Sequence, residues 1–184
     1  MRPPVRLISE AAEVAARRHK SMMRKGRDNE PYVNHLAEVA NFLAIATDGA
    51  DAELVAAGWL HDTLEDTETT TKELALRFSD RVASLVIECT DDMSLPKAER
   101  RRRQVVDAPK KSADAKLIKI ADKISNIGAR IRSNSTAEER ADLIEYTDWA
   151  VQVVAGCRGG NAYLDEMFDD VVERARASLR TPSE

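Results

Sequence analysis

The chain has three histidines among its 184 residues, and two of them keep company that suits metal chemistry. His61 and Asp62 form a doublet in the run WLHDTLEDTE, beside the apolar residues Trp59, Leu60 and Leu64. Imidazole and carboxylate both bind divalent ions, and Glu65 and Asp66 add two more acids within a helical turn. His35 follows the turn GRDNEPY, near the start of a helix. Asp122 lies between Ile120 and Ile124, where its carboxylate faces the interior. A buried carboxylate without a partner is costly, so Asp122 calls for a cation or several donors. Two imidazoles and two carboxylates suit Mn²⁺, Fe²⁺ or Zn²⁺, with a position left for water. Such a water gives up its proton near neutral pH, and spare carboxylates beside it read as hydrolysis. Each residue alone also has a plain structural role. His35 suits a helix start, Asp122 a pair with Lys119 or Lys123, and Glu65 and Asp66 a solvated helix end. The combination carries the hydrolytic reading.

The elements that must hold these groups read as helices. Leu7, Ile8, Ala11, Val14 and Ala15 make a helical stripe in the stretch from Val5 to Lys25. A second helix spans about Val33 to Ala46. Asp51 caps a third that runs on through HDTLED. Thr70 with Glu73 fits a capping box for a short helix to Phe78, and Ser79 caps the next, to about Cys89. Pro96 opens another. Residues 112–132 form a long apolar-periodic helix that carries Asp122. Thr136 with Glu139 is a second capping box, opening a helix to about Val154, and the glycines of GCRGGN end it. A last helix covers about 161–179. No alternating strand pattern, repeat or linker appears, so the expected fold class is all-α: one helical-bundle domain with the site between helices.

Composition narrows the function classes. The apolar fraction is 43% and the charged fraction 33%, which suits a folded chain with a solvated surface. No apolar run is long enough to span a bilayer, and MRPPVRLISE lacks the features of a signal peptide, so a cytoplasmic protein with no membrane partner is expected. A net charge of −4 argues against nucleic acid as a partner. Arg100 to Arg103 are consecutive and point around the whole helix, so they read as a solvated face. Cys89 and Cys157 read as small buried hydrophobes, and their spacing excludes a thiolate metal site.

The segments RKGRDNEPYVNHLAEVA, HDTLEDT and KLIKIADKISNI together resemble the hydrolase domain of the RelA/SpoT family, within the HD phosphohydrolases. Similarity continues through DDMSLPKAERRRRQVVDAPKKSADAK and IEYTDWAVQVVAG, and there it is nearest to the stand-alone small alarmone hydrolases. It covers about residues 5–175, leaving no room for a synthetase domain. The resemblance implies an HD-domain bundle that removes the 3′-pyrophosphate of guanosine tetra- and pentaphosphate (ppGpp and pppGpp), with Mn²⁺ as cofactor, in stringent-response turnover. It implies His35, His61, Asp62 and Asp122 as metal ligands and Glu65 and Asp66 as the catalytic acids. Arg24, Lys25, Asn126, Lys97 and Tyr146 match positions that contact substrate. His19 reads as structural. Leu36 stands where the family usually has proline, and Ile127, Gly128 and Ala129 replace a more polar run, which bears on guanine specificity. Two alternatives stay open: a phosphohydrolase acting on NADPH or a nucleoside monophosphate, and a metal-free nucleotide sensor. A homo-oligomer is compatible with all of these.

Overall fold

The computed structural model describes residues 3–24 and 29–180. These residues are helical throughout except for connecting turns and one isolated bridge between Met23 and Pro31. The first helix, α1 (Pro4–Arg18), opens with a proline in its first turn and buries Leu7, Ala11, Val14 and Ala15, the stripe expected from spacing. It stops at Arg18 rather than continuing to Lys25. The backbone then turns, Met22 N–H donating to His19 O, and Arg24 N–H donates to Glu30 O at 2.8 Å. This hairpin-like return satisfies the backbone that a longer helix would have used, and it turns Arg24 inward.

The next helix, α2 (Tyr32–Ala46), packs on α3 (Ala52–Leu60), whose N-cap Asp51 accepts from Leu54 N–H at 3.0 Å. The expected continuation through HDTLED is interrupted. His61 and Asp62 form a turn, and a single further turn, α4 (Thr63–Asp66), follows. Thr63 Oγ1 donates to Leu60 O at 2.6 Å across the break, satisfying a carbonyl freed at the end of α3. Thr70 caps α5 (Thr71–Arg77), but only half of the expected capping box forms, because Glu73 turns to Arg18 at 2.9 Å. Ser79 caps α6 (Asp80–Cys89) as expected. Pro96 precedes α7 (Lys97–Asp107), Ser112 caps α8 (Ala113–Arg132), and the full capping box of Thr136 and Glu139 opens α9 (Ala137–Ala155). The last helix is α10 (Ala162–Arg180).

Two helices organise the interior. α3 is flanked by α1, α2 and α6, and α8 by α2, α6, α9 and α10. Leu36, Leu43, Leu54, Leu60, Ile118, Ile120 and Phe168 are fully buried between them. Gly58 lets α3 approach α2 closely, since a Cβ there would lie 2.5 Å from Leu43 Cδ1 and 3.3 Å from Ala40 Cα. That approach brings the end of α3 against the start of α2. Cys89 and Cys157 are free and buried, as expected. The four consecutive arginines do diverge: Arg100 donates to Leu95 O, Arg101 reaches Glu145, and Arg102 and Arg103 pair with Glu99. No helix among the described residues is long and apolar enough to cross a membrane.

Candidate metal centre and active site

Three elements converge to form the site: the first turn of α2, the break between α3 and α4, and the middle of α8. His35 and His61 are 1% and 4% exposed and Asp122 is 8% exposed, so the apolar packing of three helices fixes their positions. His35 Nε2 lies 3.3 Å from Asp62 Oδ2 and 3.4 Å from Asp122 Oδ1. His61 Nε2 lies 3.0 Å and 3.8 Å from the same two oxygens. The two rings meet edge to face with centroids 5.1 Å apart. The helix break makes this possible. On a continuous helix, neighbouring residues diverge by about 100°, but the turn at Asp62 lets its carboxylate fold back onto the His61 ring.

The electrostatics call for positive charge at the centre. Burial alone lowers the pKa of His61, but Asp62 and Asp122 outweigh it and hold the imidazole well above its ordinary value. Burial works against the charge on Asp62, yet His61 and His35 hold its carboxyl well below the usual range. Burial also opposes the charge on Asp122, where the Lys123 ammonium and both imidazoles prevail and keep it ionised. His61 Nδ1 sits 2.8 Å from Gly58 O, which can only accept, so Nδ1 carries a proton and Nε2 faces the cluster. That Nε2 is buried, and its 3.0 Å approach to Asp62 Oδ2 lies outside hydrogen-bond geometry. His35, His61 and Asp62 each place a ligand atom within 4.8 Å of the others. Two inward-aimed imidazole nitrogens with two ionised carboxylates fit a divalent cation.

Glu65 and Asp66 border this cluster on α4. Burial raises the Glu65 carboxyl to about 7, with the Asp62 and Asp91 charges adding to the shift. Glu65 Oε1 accepts from Asp91 N–H, which fixes the carboxylate's orientation. Asp66 is open to water on one side. Lost hydration on the other, then the Asp62 charge, raises its carboxyl. A base poised near neutrality beside a cation site can take a proton from a water.

Residues 11–148 match the HD domain family model. The chain belongs to the HD-domain family. It is 42% identical over 172 residues to the mouse guanosine-3′,5′-bis(diphosphate) 3′-pyrophosphohydrolase MESH1, covering 94% of this chain and 96% of that one. The human MESH1 is 44% identical over 159 residues, covering 86% and 89%. Among solved structures, a metazoan SpoT orthologue described as hydrolysing ppGpp superposes with a TM-score of 0.83 at 36% identity, covering 91% and 94%. A Listeria monocytogenes protein superposes with a TM-score of 0.64 at 27% identity, covering 79% and 98%.

Within this HD domain the remaining expected residues are spread unevenly. Asn126, one turn beyond Asp122, donates to Asp122 Oδ1 at 2.6 Å. Arg24 is 9% exposed. Its guanidinium pairs with Glu38 at 3.1 Å and donates to Ser125 O at 3.1 Å, so it is engaged by the protein itself. Tyr146 is buried against Trp149, with the Arg130 guanidinium 3.7 Å from its ring centroid. Burial, then the Asp122 charge, raises its hydroxyl well above the ordinary value. Lys97 is exposed at the start of α7, with no hydrogen bond or ion pair to the cluster. Lys25 lies outside the described residues.

Tyr32, Ser125 and Glu38 escaped the sequence reading, and Lys123 entered it only as a pairing partner. Tyr32 donates its hydroxyl to Asp62 Oδ2 at 2.7 Å, and His19 stacks on the Tyr32 ring at 5.4 Å. Lys123 pairs with Asp122 Oδ2 at 2.7 Å, one of two pairings weighed for that acid; the other, Lys119, instead donates to Cys89 O. Ser125 lies 2.9 Å from His35 Nδ1, and Glu38 lies beyond it. The i,i+3 spacings His35–Glu38 and Asp122–Ser125 were the available signal for the last two.

Proposed function

We propose that this protein hydrolyses the 3′-pyrophosphate of guanosine tetra- and pentaphosphate, giving GDP or GTP and pyrophosphate. The observation that carries the reading is the buried convergence of His35, His61, Asp62 and Asp122 beside Glu65, in a chain 42% identical to mouse MESH1 over 94% of its length. Those four residues would hold a divalent ion, Mn²⁺ in our reading, which when bound supplies Lewis-acid charge and acidifies water.

The chain's own groups do the rest. Glu65, with Asp66, orients a water toward the phosphorus next to the 3′-oxygen and accepts its proton. The phosphorus–oxygen bond to the ribose breaks, and the 3′-oxygen leaves with a proton as a hydroxyl. Tyr32 holds Asp62, and Asn126 and Lys123 hold Asp122, so the acids keep their orientation without substrate. Lys25, Lys97 and Arg130 are the cations we assign to the phosphates, with Tyr146 and Asn126 bordering the nucleoside and Arg24 backing the site.

The test is incubation of the purified protein with ppGpp and Mn²⁺, with and without chelator, followed by anion exchange. Release of GDP and pyrophosphate that disappears with chelator is the expected result. No turnover by protein carrying one equivalent of metal would move the substrate to another phosphorylated nucleotide, NADPH first.

A further inference from the structure

The imidazole of His35 is backed by a chain of polar groups that runs from the site to the protein surface. Its Nδ1 lies 2.9 Å from Ser125 Oγ. Ser125 Oγ in turn donates to Glu38 Oε2, and Arg24 Nη2 donates to the same hydroxyl oxygen at 3.3 Å. Arg24 Nη1 also reaches Glu38 Oε2 at 3.1 Å, and Arg132 approaches Glu38 Oε1 at 3.5 Å. Ser125 is 2% exposed, so its hydroxyl has no water to fall back on.

The hydrogen bookkeeping leaves one arrangement. A serine hydroxyl has one proton to give and two lone pairs to receive with. Glu38 lies between two guanidinium groups and is an acceptor, so it takes the serine proton. Arg24 can only donate, so it uses one lone pair of Oγ. The remaining lone pair faces His35, and only an N–H can fill it. Nδ1–H of His35 therefore donates to Ser125 Oγ, and Nε2 is the nitrogen turned toward Asp62 and Asp122. The carbonyl of Gly58 takes the Nδ1 proton of His61 in the same way. Helix α3 thus does with its own backbone what α2 and α8 do through side chains.

We infer that Ser125 and Glu38 are positioning residues that fix the metal-binding tautomer of His35, with Arg24 bridging Glu38 and the Ser125 hydroxyl. The inference rests on the reading of the cluster as a metal centre, but the tautomer itself can be measured without metal or substrate. Removing a group that orients a ligating histidine typically weakens metal affinity about 10- to 100-fold.

The experiment uses the full chain with Ser125→Ala, Ser125→Thr and Glu38→Gln. Ring-nitrogen shifts of His35 are read by long-range ¹⁵N NMR on chelator-treated protein, and Mn²⁺ affinity is measured by competition with a chelating dye. With only three histidines in the chain, the signals are separable. Ser125→Ala is expected to mix the two His35 tautomers and to weaken Mn²⁺ binding by one to two orders of magnitude. Ser125→Thr keeps the hydroxyl and restores both readouts. Glu38→Gln, at a partly exposed site, can reverse the hydrogen-bond direction and shifts His35 toward the Nε2–H form. Unchanged ring nitrogens in Ser125→Ala and Glu38→Gln would overturn the inference. So would an affinity loss without any tautomer change, because packing alone produces that. Wild-type protein that bound no Mn²⁺, alongside variants showing the expected tautomer changes, would sink the metal reading and leave the positioning chain standing.

Discussion

Lys123 is 3% exposed, and its ammonium has two partners, Asp122 Oδ2 at 2.7 Å and the Trp149 ring at 4.6 Å. Replacing it with methionine keeps the volume and removes the charge. At 2.7 Å and an effective dielectric constant of about 20, the attraction to Asp122 is about 6 kcal/mol. The hydration regained by not burying an ammonium offsets much of that. Removing one partner of a buried pair costs about 3–5 kcal/mol. Asp122 keeps the Asn126 amide and two imidazoles, so the lower end, about 3 kcal/mol, applies. At about 2–4 °C per kcal/mol for a chain of this size, chelator-treated Lys123→Met should melt about 6–12 °C below the parent. A cation held by Asp122 replaces the lost charge. In saturating Mn²⁺ the difference should therefore shrink to less than half, and Mn²⁺ affinity should rise. Differential scanning calorimetry with and without metal reads both. An equal drop in the two conditions would mean that Lys123 only packs, and no drop in chelator would mean that the pair contributes nothing.

Other substitutions test the site and its supports. The Glu65 carboxyl is raised to about 7 from an ordinary 4.5, so the native state holds its proton longer than the unfolded chain. Its contribution to stability is complete below about pH 4.5 and is lost as pH rises through about 7. Glu65→Gln should therefore raise the melting temperature at pH 8, leave it nearly unchanged at pH 5, and cut turnover about 10²- to 10⁴-fold while metal still binds. Unimpaired turnover would remove Glu65 from the chemistry. Gly58→Ala drives a Cβ to 2.5 Å from Leu43 Cδ1 and 3.3 Å from Ala40 Cα. It should cost about 1–3 kcal/mol in urea unfolding; a neutral result would mean that α2 and α3 can separate freely. Thr136→Ala removes the cap of α9 and should cost about 1 kcal/mol without changing Mn²⁺ affinity.

The helices were legible because apolar spacing and caps agree locally. Asp51, Ser79, Ser112 and Thr136 each cap the helix that follows them. The departures arose where tertiary partners outbid local preference. The stretch after Arg18 has good helix formers, yet its backbone pairs with Glu30 and Pro31 across a turn, a contact that local pattern does not encode. The HDTLED segment reads as one helix, but the carboxylate of Asp62 is drawn to the imidazoles and the helix breaks there. Glu73 could close its capping box or pair with Arg18 on a distant helix, and it does the latter. The four cluster residues stood out through their chemical types. Tyr32, Glu38 and Ser125 did not, because each is an ordinary helix residue whose role exists only once α2, α3 and α8 meet.

The indole of Trp149 lies between the Lys123 ammonium on α8 and the Arg101 guanidinium on α7, at 4.6 Å and 5.1 Å from the ring. Tryptophan emission responds to nearby charge, and Lys123 is tied directly to Asp122. Any event that draws Asp122 toward another cation alters the field across that ring. Trp59, the other tryptophan, sits on α3 and can be silenced as Trp59→Phe. The protein thus carries its own optical gauge: a colour shift at one residue reports the charge state of a centre that the indole does not itself touch.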